Sequence, residues 1–189
     1  PSDTIASGRI AGSRFGATNY VACSGSGRKD AGSLSDADGI FFSRSNIRFR
    51  DILDGTSHTV AFAERTLGGN STSPTSGTQS EIWEFDDRRT THPQTCASMQ
   101  SGSWNRFRGE KWIMGNYGNT IYNHWYPPNS RQWDCMNITQ QMGLMAARSL
   151  HPQGVNATRC DGSVEFYTDS IDPEVWRDLS TRAGREFLP

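Results

Sequence analysis

At 189 residues, with 34% hydrophobic content, the chain is long enough to bury a core of its own, and one domain over residues 1–189 is expected. Its 19 basic and 20 acidic residues give a net charge of −1, which leaves no basic footprint for nucleic acid. No apolar run nears the ~20 residues of a membrane-spanning helix, and 19 glycines with eight prolines exclude a helical bundle in favour of a loop-rich fold containing β-structure.

In chain order, residues 1–29 are rich in Gly and Ser, with a strand expected at Asn19–Cys23. Asp36-x-Asp38-Gly39 looks like half a calcium loop, two carboxylates at alternate positions and then a glycine, but the closing bidentate glutamate is missing. An ordinary Asx-rich turn is the favoured reading, with calcium held by Asp36 and Asp38 as the competing one. Ile40–Phe42 reads as a short edge strand, and Phe49–Leu53 as one helical turn before Asp54, closed by Gly55. Thr59–Ala63 is apolar with little alternation, the pattern of a strand buried on both faces. Glu64 at its end is assigned an ion pair with Arg48, Arg50 or Arg65 rather than a catalytic role. Residues 67–80 form a low-complexity surface loop.

Between residues 81 and 142 lie five of the six tryptophans. One reading is that a loop-built subdomain, spanning roughly 66–142, fills its interior with large rings. The other is a glycan- or peptide-binding surface built from Trp104, Trp125, Trp133 and Tyr122.

The segment from His151 to Thr168 predicts a β-hairpin around Asp161-Gly162, a pair suited to a two-residue type I′ turn. That turn pairs Ala157 with Phe166 and Val155 with Thr168, so that Val155, Ala157, Val164 and Phe166 share the apolar face. A helix follows, with Asp172 as N-cap, Pro173 in its first turn and Gly184 beyond its end. His151 and Asp161 do not form a catalytic pair on this reading, because ten residues of extended chain separate them by roughly 30 Å. His151 is expected to anchor the strand by a hydrogen bond to backbone. No G-x-S-x-G elbow, H-E-x-x-H helix, P-loop or dinucleotide fingerprint is present, and the chain reads as non-enzymatic.

His151, nine residues and Asp161-Gly162 resemble the signature of a planctomycete family of prepilin-type proteins with a His-x9-Asp-Gly domain, whose members carry unknown functions or a loose solute-binding label. Further blocks in the same order strengthen the likeness: Pro1-Ser2-Asp3, Thr18-Asn19-Tyr20, Phe49–Arg65, Gly109–Asn116, Tyr126–Ser130 and Leu179–Glu186. The resemblance implies an α+β pseudopilin-like head in which an antiparallel sheet packs beside a C-terminal helix, with the long aromatic insertion looped from it. It implies an extracytoplasmic subunit of a surface filament, secretion pseudopilus or cell-surface assembly. The partners would be copies of itself or other pilin-like subunits, and membrane contact would come only through an N-terminal stalk helix that this sequence lacks. Pseudopilin heads sometimes bind calcium; no other cofactor is implied. In an exported protein the four cysteines favour disulfides, of three permitted connectivities. Cys96 with Cys135 is preferred, since both lie in the irregular middle segment; Cys23 with Cys160 is the remaining pairing, unless Cys23 belongs with a cysteine preceding Pro1.

Overall fold

The computed structural model describes residues 8–10, 13–69 and 80–184. The expected loop at 67–80 falls largely outside them. Strands β1 (Gly8–Ile10) and β2 (Ser13–Phe15) form a two-stranded ribbon. β3 (Tyr20–Cys23) and β4 (Val60–Glu64) follow, then β5 (Ile82–Phe85), helix α1 (Pro93–Ser98) and β6 (Gly102–Asn105). Two-residue β7 (Ile121–Tyr122), β8 (Asp134–Met136) and β9 (Gly143–Leu144) precede the hairpin β10 (Gly154–Arg159) and β11 (Val164–Thr168), and α2 (Pro173–Asp178) ends the series.

These strands make a five-stranded sheet ordered β11-β10-β4-β3-β7 and a four-stranded sheet ordered β6-β5-β8-β9. The class is α+β. Both larger sheets are mixed rather than antiparallel, because β3 pairs β7 and β5 pairs β8 in parallel. The segment expected to be an irregular insertion therefore carries most of a second sheet, with Trp83, Phe85 and Trp104 on its strands and the other aromatic residues in the loops or on β7. No strand forms at Ile40–Phe42: that stretch bends, its Phe41 N–H donating to Cys23 O at 3.2 Å. Phe49–Asp51 makes one 3-10 turn, and Gly55, at φ +96°, closes the segment as expected of a glycine there.

The hairpin forms at the expected place in a different register. Val155 pairs Tyr167, Asn156 pairs Phe166 and Thr158 pairs Val164, a slip of one residue from the type I′ arrangement. Gly162 N–H donates to Arg159 O at 3.0 Å and Arg159 N–H to Ser163 O at 2.8 Å, so Cys160, Asp161 and Gly162 form a three-residue loop. Only Gly162, at φ +87°, is left-handed, the geometry of a type I turn followed by a bulge. The segment leading into β4 holds this loop: Cys160 N–H donates to Thr59 O and Asp161 N–H to Thr56 O, at 2.9 and 3.1 Å. A one-residue slip exchanges faces on β11. Tyr167 is buried, whereas Val164 and Phe166 are exposed.

Helix α2 is capped as its sequence predicts, the Asp172 carboxylate accepting from Glu174 N and Val175 N. It stops at Asp178, short of Gly184, where Ser180 Oγ and Thr181 Oγ1 donate back to Arg177 O and Asp178 O. Its Trp176 is fully buried, stacked on His124 with ring centroids 3.6 Å apart. The main core takes Val21, Val60, Val155 and Tyr167 from the five-stranded sheet together with Ile82 and Met136 from the four-stranded one.

Cys96 and Cys135 are joined, tying α1 to β8 across 39 positions of sequence. Reducing this bond, or replacing both residues by serine, is expected to lower stability by about 2–4 kcal/mol through the entropy regained by the unfolded chain. Urea titrations with and without reductant measure it, and superimposable midpoints would exclude such a contribution. Cys23 and Cys160 remain free thiols. Cys23 belongs to the core, while Cys160 lines a groove on the other side of the sheet, so the expected second bridge does not form.

Candidate functional site

The register places Tyr20, Ala22, Phe62, Glu64, Asn156, Thr158, Val164 and Phe166 on one face of the five-stranded sheet, opposite the core. This face is apolar and open. Phe62 is 41% exposed, Phe166 45% and Val164 64%. Burial of Thr59–Ala63 on both faces therefore fails at Phe62. Phe41 covers part of that ring at 4.9 Å between centroids, and beside it runs a groove of about 650 Å³ walled by Ile40, Ile47, Phe49 and Ile52. Cys160 lines its end, its thiol pushed up to about 11 chiefly by burial and then by the Asp161 carboxylate.

At the polar end of the same face stands the histidine of the sequence signature. His151 Nε2 lies 3.1 Å from Glu64 Oε1, and Asn156 N–H donates to Glu64 Oε2 at 2.8 Å. Glu64 is thus engaged by His151 and Asn156, not by Arg48, Arg50 or Arg65. Arg65 instead donates to Asn119 O and Tyr117 O, at 2.5 and 2.7 Å. The expected backbone bond of the His151 ring is replaced by this side-chain bond, which fastens the segment before β10 to the end of β4. Asp161 is far along the hairpin and accepts from Ser163 N and Oγ, bracing the turn. Asp54 accepts from Thr181 Oγ1 and Gly184 N, both at 2.8 Å, and so holds the chain after α2. His151, Asp161, Gly162, Asp54 and Gly55 thus lie in three separate bends and turns and do not converge on one site.

The four aromatic residues singled out from sequence part company. Trp104 and Trp133 meet edge to face at 5.0 Å, and Trp83, directly opposite Trp104 in the β5–β6 pair, joins them at 5.2 Å. Trp125 packs elsewhere, under the Arg177 guanidinium at 4.8 Å. Tyr122 is fully buried, its hydroxyl 2.8 Å from His124 Nε2, and presents nothing to a ligand. Two-residue β7 seats Tyr122 in the core through its pairing with Cys23 on β3. Asp36 pairs with Lys29 at 2.6 Å, while Asp38 accepts from Ser26 N at 2.8 Å and Ser26 Oγ at 2.5 Å. Both carboxylates thus have protein partners, and among the described residues no group of three or more His, Cys, Asp or Glu side chains converges as a metal site.

A feature with no sequence signal lies beneath β8. Asp134 is buried between Arg108 and Arg148, themselves 0% and 2% exposed. Arg148 reaches both of its oxygens, Nη2 to Oδ1 at 2.8 Å and Nε to Oδ2 at 3.2 Å. Burial raises the Asp134 carboxyl, but Arg148 and Arg108 together outweigh it and hold it below its ordinary value.

Among the described residues no helix is long and apolar enough to cross a membrane. A family model described as "Protein of unknown function (DUF1559)" matches residues 1–174. Neither the curated proteins nor the solved structures contain a match.

Proposed function

The chain belongs to this family of proteins of unknown function, and from that membership we propose that it is a non-enzymatic, extracytoplasmic structural subunit, pilin- or pseudopilin-like, with residues 1–189 as its globular head. The observation that carries the reading is the open apolar face of the five-stranded sheet. Phe62 and Val164 flank Thr158 on either side of β10 there, with Phe166 two residues further along β11, and covering what each leaves exposed contributes about 1 kcal/mol. The partner that covers them is another copy of the chain or another pilin-like subunit. The Cys96–Cys135 bond supports an oxidising compartment, outside the cytoplasm. The His151–Glu64 pair serves position rather than chemistry, since Asn156 already fills the second carboxylate oxygen.

Imaging in ice of the protein isolated from its native source tests this directly. Ordered filaments or a lattice containing the chain are expected. Phe62→Asp with Phe166→Asp should abolish them while the isolated head stays folded by circular dichroism, at a cost of about 1–3 kcal/mol, because each ring is more than half buried and Phe62 packs on Phe41. Dispersed monomers, or assemblies indifferent to the two charges, would sink the proposal.

A further inference from the structure

A second concavity, of about 400 Å³, is lined by Asn105, Phe107, Glu110, Lys111, Asn119 and Gln140, none of which belongs to the sheet face described above. Its character is different. Where the sheet groove is mostly hydrocarbon, this one sets three amides and an ion pair beside Met114 and a single aromatic ring, Phe107 at 52% exposure.

The walls are built before any ligand arrives. Gly109 N–H donates to Gly118 O at 2.9 Å and Lys111 N–H to Asn119 Oδ1 at 3.0 Å, stitching the 105–111 segment to the 114–119 segment. Asn119 Nδ2 is in turn held by Asn116 Oδ1 at 2.9 Å. Glu84 Oε2 accepts from both Asn105 Nδ2 and Gln140 Nε2, at 2.8 and 2.9 Å, so one carboxylate fixes two amides. Each of those amide nitrogens retains a second N–H. Glu110 pairs with Lys111 through Oε1, leaving Oε2 as an acceptor with no protein donor among the described residues. Burial draws the Lys111 ammonium below its usual value, as expected of a cation stripped of part of its water.

Fixed amide donors, a carboxylate acceptor, an ammonium donor and one exposed ring complement a ligand whose rim bears hydroxyls and whose flat face bears C–H groups. We propose that this cleft is a saccharide-binding site. A neutral sugar ring lies on Phe107, with its hydroxyls among Asn105, Gln140, Glu110 and Lys111. The prearranged walls lower the ordering cost of binding. The site is independent of the assembly reading, since it uses none of the sheet-face residues, and it relocates sugar recognition from the tryptophans to the loops after β6.

The test is a nuclear magnetic resonance titration of the intact 189-residue chain with maltotriose, cellotriose and tri-N-acetylchitotriose in turn. At least one is expected to cause saturable shifts confined to the backbone amides of residues 105–119 and 140. Phe107→Ala should weaken that sugar by about tenfold, and Phe107→Tyr should hold it within about threefold, the ring face being retained. Trp104→Phe serves as the control outside the cleft and should change nothing. Absence of saturable shifts with all three sugars at about 10 mM, a concentration that reveals even millimolar sites, overturns the proposal. Binding that Phe107→Ala leaves intact overturns it too, as does uptake of an extended Val-Thr pentapeptide along β6 in place of any sugar. Failure here leaves filament formation untouched, and failure of filament formation leaves these titrations interpretable.

Discussion

Replacing Asp134 by asparagine is expected to cost about 3–5 kcal/mol of folding free energy, more than any exposed charge in the molecule. The carboxylate pairs with Arg108 and Arg148, both buried, and it also accepts from Ala146 N at 3.0 Å. Arg148 keeps two other acceptors, Ser130 O and Gln132 O, each at 2.7 Å, so its geometry would survive while its charge lost its counterion. The expense of the substitution is thus a buried counterion taken from Arg148 and from beside Arg108 in a medium of low polarity, not a few lost hydrogen bonds. Asp134→Leu combined with Arg148→Met should recover part of the loss, because removing opposite partners together relieves the uncompensated charge. Urea unfolding at pH 7 measures both variants. A loss below about 1 kcal/mol for the single variant would show that water reaches the cluster, as at exposed ion pairs.

Acid should unfold the protein from a pH well above the carboxylate range, and His124 is the reason. Its ring is fully buried, Nδ1 lies 2.5 Å from Trp176 O and Nε2 lies 2.8 Å from the Tyr122 hydroxyl. With Nδ1–H donating to the carbonyl, Nε2 accepts from Tyr122 O–H, and both nitrogens are satisfied by the neutral ring. Burial pulls the ring down to about 3, against the Trp176 carbonyl, which favours the proton. The sign follows from the unfolded chain, where histidine titrates near its ordinary 6.5. Above pH 6.5 neither state carries the proton, and stability is level. As pH falls towards 3 the unfolded state alone takes it up, and stability drops by roughly 1.4 kcal/mol per pH unit, reaching about 5 kcal/mol. Asp134, held low, adds its own loss as pH falls through its ordinary 3.8, so the two windows overlap only at the acid end. His124→Gln should be less stable at pH 7 but flatter between pH 6.5 and 4, by about one proton in the slope of unfolding free energy. An unchanged slope in that variant would assign the acid sensitivity to other groups.

Much of the architecture can be read from local chemistry. Asp172 and Pro173 announce a helix start, and they cap α2 as they would in any chain. Tyr20–Cys23 and Val60–Glu64 become strands because short β-branched and apolar runs bounded by turns have few other uses. Asp161-Gly162 marks a turn, and Cys96 and Cys135, which are joined, both lie in a middle segment that reads as irregular and in need of a covalent tie.

The surfaces proposed to bind partners were decided elsewhere. Turn residues locate the hairpin, yet two carbonyls of the segment preceding β4, Thr56 O and Thr59 O, choose a three-residue loop over a two-residue one. That single step turns Tyr167 into the core and Phe166 out to solvent, and it creates the open apolar face. Glu64 finds His151 rather than an arginine because β10 lies against β4, an adjacency spanning 87 positions of sequence. Asp134, Arg108 and Arg148 look like ordinary solvated charges in the sequence, and only the stacking of two sheets closes over them. Asn105, Lys111 and Gln140 likewise meet across loops that carry no periodic signal. Local sequence is enough for the α+β class, for β3, β4, the hairpin turn and the start of α2, since each rests on contacts within a few residues, and the spread of matching blocks along the chain is enough for membership of a family of unknown function. Register, face, charge burial and both concave surfaces were settled by the tertiary structure, because pairing between distant strands outweighs the local preference of any one turn.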